Sequence, residues 1–220
     1  MWQYIFVKKQ KLILLCDSTH DLIGKFYKNY FQENINSSLT NWNAKDVLGH
    51  ILFWMNHCGN KIYHIKKGLP FKAVDAYKAN DENYVKNKEQ KIEKIFEDIN
   101  NVIFNCTNVI DMYTENELLD KTLPTGYDFE MWRYIAMDMY IHPIKHLLHY
   151  YLKTENYNEF INVILHSNNN FMEYSNNDMN VYNFYDFYED SKKRKEQFFK
   201  LKDINKENDL IDNLIEINKI

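Results

Sequence analysis

Apolar side chains recur every three or four positions from the start of the chain to Lys153, and this spacing predicts helices. The 220 residues include only 5 Gly and 3 Pro, too few for the turns of a many-stranded sheet or barrel. Four long helices are predicted, over about Lys11–Gln32, from just after Asn43 to near Gly68, Tyr84–Ile110 and Phe129–Lys153. The pattern therefore predicts an all-α protein in which four helices form a bundle.

Two positions in these helices carry signals of local structure. Asn43, with Asp46 three residues later, has the form of an N-cap followed by an acidic first turn, which predicts the start of the second helix. Pro143 lies inside the fourth helix and has no backbone N–H. We therefore expect a kink or local irregularity there, with the carbonyl of Met139 left without its helical donor.

The composition changes after Thr154, where asparagine-rich stretches are followed by a group of aromatic residues and by a short basic run, Lys192–Lys195. Two further helices are predicted, over about Asp178–Leu201 and Lys206–Asn218. The chain is therefore expected to have two parts. Residues 1–153 form the bundle, and residues 154–220 form a helical C-terminal extension that packs on the bundle or on a partner.

Charge and cysteine content narrow the classes of partner. Lys and Arg total 27 against 31 Asp and Glu, and a net charge of −4 lacks the basic excess of a nucleic-acid-binding protein. The three cysteines, Cys16, Cys58 and Cys106, are too far apart in sequence for a structural zinc pair and suit a reducing compartment. The early apolar runs are too short for a signal peptide or a membrane span. We expect a cytoplasmic protein with no nucleic-acid or membrane partner.

The histidines form the strongest chemical cluster in the sequence. His142 and His146 are four residues apart on the fourth helix, so they share one face and can direct two imidazoles at one point. If the second and fourth helices are neighbours, His50 completes a three-histidine metal site with open coordination positions. The alternative interpretation is that all three are ordinary core or surface histidines.

Two carboxylates lie one helical turn from these histidines. Asp138 precedes His142 by four residues, and Asp46 precedes His50 by four residues. Carboxylates so placed can orient ligating imidazoles or hold a proton during catalysis, so both are candidate catalytic residues. The alternative is that Asp138 is a solvated helix charge and that Asp46 only stabilises a helix start.

Two segments resemble a known family. Residues 42–51 read Trp-Asn-Ala-Lys-Asp-Val-Leu-Gly-His-Ile, with Trp54 one turn further on, and the pair His142 and His146 lies late in the fourth helix. Both are similar to signatures of the DinB-like, or YfiT-like, superfamily of four-helix bundles, and the first is similar to its ClbS/DfsB branch. The resemblance covers roughly residues 10–153 and does not extend to the C-terminal extension.

The resemblance implies a function as well as a fold. It implies a divalent metal such as zinc, nickel or iron on His50, His142 and His146. It also implies a metal-dependent hydrolase or a thiol transferase that detoxifies electrophilic small molecules, although neither the substrate nor a thiol cofactor is specified. The residues themselves leave a second interpretation open, a non-catalytic bundle that binds a ligand, another protein or a second copy of itself as a homodimer.

Overall fold

The computed structural model describes residues 7–33, 36–128, 130–156, 158–160, 162–163 and 166. The chain divides into two units, Met1–Tyr174 and Ser175–Ile220, and all described residues belong to the first. Its helices are α1 (Val7–Tyr30), α2 (Ala44–Lys66), α3 (Ala76–Lys88), α4 (Ile92–Asp111), α5 (Glu115–Leu118), α6 (Met131–Ala136), a π-helical segment (Met137–Ile141) and α7 (His142–Lys153). No strand occurs among the described residues, which confirms the all-α prediction.

The helices pack around one apolar core. α2 lies against α4 and α7, and α1 lies against α4, α6 and α7. Each contributes fully buried apolar side chains, including Phe26 from α1, Ile51 from α2, Ile99 from α4 and Leu147 from α7. The contact between α2 and α7 matters most here, because it joins the two helices that carry the predicted histidine cluster.

The predicted start of α2 is confirmed in detail. The Asn43 side chain accepts a hydrogen bond from the Asp46 backbone N–H, and the Asp46 carboxylate accepts one from the Asn43 backbone N–H, each at 3.0 Å. This reciprocal pair is a capping box, which satisfies two backbone donors at once. It fixes the helix one turn before His50.

The prediction of one long third helix was wrong, because α3 and α4 are separate. The spacing of Tyr84, Lys88 and Ile92 continues through the break at residues 89–91, so the apolar pattern does not reveal it. α3 also begins earlier than predicted, at Ala76. The Asp75 side chain caps it by accepting from the backbone N–H groups of the first turn.

The fourth predicted helix contains the expected irregularity. A π-helical segment separates α6 from α7, and the His142 backbone N–H donates to the carbonyl of Met137, five residues back. Pro143 lies in the first turn of α7, where a missing N–H is tolerated. The Thr19 hydroxyl on α1 lies 2.9 Å from the Met139 carbonyl oxygen and 2.9 Å from the Leu15 carbonyl oxygen of its own helix, so its one proton is shared between the two acceptors.

Part of the C-terminal extension is described and contacts α1. Phe160 and Val163 are buried, and Nε2 of His166 lies 2.9 Å from the hydroxyl oxygen of Ser18. The two helices predicted over Asp178–Leu201 and Lys206–Asn218 lie outside the described residues. Among the helices of the described part, none is long and apolar enough to span a membrane.

Candidate metal centre

Three histidines from two helices converge in the described part of the bundle. α2 supplies His50, which is buried, and α7 supplies His142 and His146, which are half-buried. Nε2 of His142 lies 3.2 Å from Nε2 of His50 and 2.9 Å from Nε2 of His146. Three ligand atoms within 4.8 Å of one another are close enough to hold a metal ion. The sequence predicted these three residues as a group.

Burial keeps the three imidazoles neutral. Loss of solvent lowers the pKa of His50 to about 4, and loss of solvent together with the neighbouring His50 lowers that of His142 to about 3. The pKa of His146 falls well below its ordinary value for the same reasons, first burial and then proximity to the other two rings. Neutral imidazole is the form that binds metals, so the cluster is ready to ligate at pH 7.

The nitrogen atoms cannot satisfy one another completely. A neutral imidazole has one N–H and one lone pair, so Nε2 of His142 can hydrogen-bond well to one of its two neighbours and not to both. A cation bound by three lone pairs satisfies all three nitrogen atoms. The donor set therefore fits a divalent metal, and imidazole nitrogen suits zinc, nickel and iron.

Aromatic packing, rather than hydrogen bonding, orients the rings. Nδ1 of His50 and Nδ1 of His142 are buried without a hydrogen-bond partner among the described residues. The ring of Trp42 lies 4.8 Å from that of His50, and the ring of Trp54 lies 6.4 Å from those of His50 and His142. Trp54 is itself fixed, because its indole N–H donates to the Asn80 side chain at 2.9 Å. The two indoles thus form apolar walls around the histidines.

A cavity of about 320 Å³ adjoins the cluster on the side of His146. The loop before α2 and the last turns of α7 form its walls, and its lining residues include Trp42, His149 and Lys153. The Lys153 ammonium group donates to the carbonyl oxygen of Trp42, which ties α7 to this loop. A small molecule in the cavity would therefore contact one of the three histidines.

The two candidate catalytic carboxylates lie in different surroundings, and neither belongs to the histidine cluster of the described residues. The Asp46 carboxylate is part of the capping box of α2 and is buried there. Asp138 lies beside Tyr134 and Lys61. Burial raises its pKa to about 6, while a hydrogen bond from Tyr134 and the charge of Lys61 oppose that rise. Asp46 is thus engaged in capping α2, whereas Asp138 takes no part in a helix cap and has a pKa near neutrality.

Sequence reasoning missed two residues that shape this centre. The ring of Trp42 packs against His50, and Asn80 holds Trp54 from α3, a helix that starts before the predicted third helix. Asp75, a good N-cap residue just before Ala76, is the sequence signal that could have revealed α3.

Comparison with models of known protein families, with curated proteins and with solved structures gives no match to this chain. The likeness to the DinB-like superfamily therefore rests on the segment 42–51 and on the pair His142 and His146.

Proposed function

We propose that this protein is a metal-dependent enzyme of the DinB-like kind, which acts on electrophilic small molecules as a hydrolase or a thiol transferase. The observation that carries the proposal is the convergence of three neutral Nε2 atoms, from His50, His142 and His146, beside a cavity of about 320 Å³. Three protein ligands leave a coordination position open, as in catalytic rather than structural metal sites. When bound, a divalent ion supplies Lewis acidity, which activates water or a thiol at neutral pH.

The residues of the chain have separate roles in this proposal. His50, His142 and His146 hold the ion. Trp54 shields the rings of His50 and His142 from water, while Trp42 packs on His50 and lines the cavity. Exclusion of water strengthens electrostatic interactions inside the site. The cavity beside His146 receives the small molecule. The resemblance of the segment 42–51 to the ClbS/DfsB branch supplies the expectation that this molecule is an electrophile.

Asp138, with a pKa of about 6, can take up and release a proton near neutral pH. It is not a lining residue of the cavity beside His146, so this proposal gives it no direct contact with the small molecule. The neighbouring Tyr134 and Lys61 hold the carboxylate in one place. Asp46, which caps α2, has no role in this proposal beyond holding the helix that carries His50.

The proposal is tested by turnover of model electrophiles. Zinc-, nickel- and iron-loaded protein is assayed for hydrolysis of p-nitrophenyl acetate and for transfer of cysteine to 1-chloro-2,4-dinitrobenzene. We expect turnover of at least one substrate by the wild type and by His64→Ala, whose histidine is half-buried outside the cluster and bonded to the Pro70 carbonyl. We expect none above background by His146→Ala. Metal binding without turnover of either substrate would contradict an enzymatic role and favour a non-catalytic binding bundle.

A further inference from the structure

Four exposed asparagine side chains line a surface groove between α2 and α4, on the side of these helices that does not carry the histidines. Two further asparagines, Asn83 and Asn87 of α3, are less exposed and wall one end of this groove. Asn56 and Asn60 belong to α2, and Asn101 and Asn105 belong to α4. All four are exposed, and none makes a hydrogen bond to any other described residue. The groove therefore presents four amide groups whose donors and acceptors are available to a ligand.

The groove consists of two adjoining cavities of about 270 and 200 Å³, which share Asn56 and Val102. Its floor is apolar and narrow. The two helices approach each other closely there, since a Cβ atom added at Gly59 of α2 would lie 3.9 Å from Cβ of Cys106 on α4. The lining residues of α2 run from Leu52 to Tyr63. At a rise of about 1.5 Å per residue, the groove is about 16 Å long.

The asparagines form two pairs across the groove. α2 and α4 run in the same direction, since Leu52 shares the first cavity with Asp98 and Tyr63 shares the second with Val109. Asn56 and Asn101 line the first cavity together, and Asn60 and Asn105 line the second together. Each wall thus carries two amides four residues apart.

This spacing matches the repeat of an extended polypeptide. Residues four apart on a helix are separated by a rise of about 6 Å. In an extended strand the N–H and C=O groups of every second residue point to the same edge, at a repeat of about 6.6 Å. A primary amide donates and accepts, so it can bond both groups of one residue. The asparagines of α2 would serve one edge of the strand and those of α4 the other.

Two further features favour a peptide backbone. Oε1 of Gln90, which lines the first cavity, is buried and has no partner among the described residues, so it can accept from a peptide N–H. Of the described groove residues, the charged ones are Lys86 and Asp98, both at one end. The middle of the groove is uncharged, as the backbone of a peptide is.

We propose that the groove between α2 and α4 binds an extended peptide segment of a partner protein through the backbone of that segment. At about 3.3 Å per residue, the groove accommodates about five residues. This binding site is separate from the histidine cluster and does not require a metal.

The experiment is selection of a phage-displayed library of random linear heptapeptides on the full-length chain, followed by calorimetric titration of one enriched peptide. Each hydrogen bond contributes a factor of about five to affinity, and one amide pair can make four such bonds. Loss of the pair should therefore weaken binding at least about 25-fold, which is the effect of losing two of the four. The variant Asn56→Ala/Asn101→Ala removes one such pair. Alanine has the higher helix propensity at these exposed positions, so this variant keeps its fold.

A matched control and a backbone probe complete the test. Asn108→Ala changes an exposed asparagine of α4 that lies outside the groove lining, and it should leave affinity unchanged. Methylation of the peptide at alternate backbone nitrogens should weaken binding by a similar factor. The proposal is overturned if no peptide is enriched, if Asn56→Ala/Asn101→Ala binds as the wild type does, or if the backbone methyl groups have no effect. Specific retention of a glycan-array oligosaccharide instead of a peptide would also overturn it.

Discussion

Burial of His50, His142 and His146 does two things at the scale of single residues. It lowers the imidazole pKa values, which keeps the lone pairs available. It also brings three Nε2 atoms together, and hydrogen bonds among the rings cannot satisfy all three. Both effects favour a cation between the rings. The rings are also held by contacts with indole side chains, so little ordering remains to be done when an ion binds.

Removing one ligand should therefore abolish most metal binding. His142→Ala and His146→Ala are each expected to weaken zinc affinity more than about 100-fold, since changes in the outer shell of a metal site already cost 10–100-fold. Competition with a chromogenic chelator measures this affinity. His64→Ala should bind zinc as the wild type does, because His64 lies outside the cluster. Equal affinity in all three variants would contradict the three-histidine site.

Asp138 makes the free energy of unfolding of the protein depend on pH. Its pKa is raised from 3.8 to about 6 in the folded state, mainly by burial, so the folded protein holds this proton more tightly than the unfolded chain does. The resulting stability is fully present below pH 3.8 and is lost as the pH rises through 6.

Replacing this carboxylate by a neutral amide should remove that pH dependence. Relative to the wild type, Asp138→Asn is expected to gain on the order of 2 kcal/mol in free energy of unfolding between pH 4 and pH 7. Urea unfolding of both proteins at the two pH values measures the difference. Asp81→Asn, an exposed change on α3, serves as the control. If the difference in free energy of unfolding between Asp138→Asn and the wild type did not change with pH, this result would contradict a raised pKa of Asp138 in the folded protein.

Two elements position the histidines. The capping box at Asn43 fixes the start of α2, and the π-helical segment before α7 sets the rotation of the helix that carries the other two ligands. Such single-turn π segments are frequent at functional sites. Thr19 supports this segment from α1, because its hydroxyl reaches the Met139 carbonyl.

Loss of the Thr19 hydroxyl should leave the Met139 carbonyl without the donor that it shares with the Leu15 carbonyl. Thr19→Val keeps the shape of the side chain and is expected to lower the free energy of unfolding by about 1–3 kcal/mol. Chemical denaturation measures the change. Thr107→Val removes a hydroxyl that bonds an exposed carbonyl within α4 and should cost less than about 0.5 kcal/mol. Equal decreases in free energy of unfolding for Thr19→Val and Thr107→Val would contradict a stabilising hydrogen bond from Thr19 to the Met139 carbonyl.

Particular residues show how far the sequence predicts these elements. Asn43 and Asp46 act within one turn, and Pro143 acts on its own helix, so a cap and an irregular helix were predictable from local chemistry. The break between α3 and α4 was not, because the apolar spacing passes through it unchanged. The packing of Trp42 on His50 depends on a loop that returns to the bundle, and no periodicity encodes such a contact.

At the scale of the whole molecule, the candidate metal centre joins parts of the chain that are distant in sequence. His50 and His142 are 92 positions apart and belong to helices that pack on each other. The sequence predicted that these histidines lie close together only if the helices that carry them are neighbours in the bundle. The asparagine groove, by contrast, depends on the parallel course of α2 and α4, and the apolar pattern of the sequence did not predict the direction of either helix.

A ligand that joins α2 to α7 should stabilise the entire fold. Free zinc at 100 times its dissociation constant adds about 2.7 kcal/mol to the stability of the folded state. For a chain of this size that corresponds to an increase in Tm of roughly 5–10 °C, measurable by circular dichroism. His146→Ala should show no increase. An equal increase in that variant would place the bound zinc elsewhere.

The most direct measurement is the metal content of untagged protein purified without chelator, by elemental analysis, for the wild type and for His50→Ala. The three-histidine centre predicts close to one divalent ion per chain in the wild type and little or none in the variant. Absence of metal from the wild type, even after reconstitution with zinc, nickel, iron or manganese, would contradict the metal centre and with it the proposed enzymatic function.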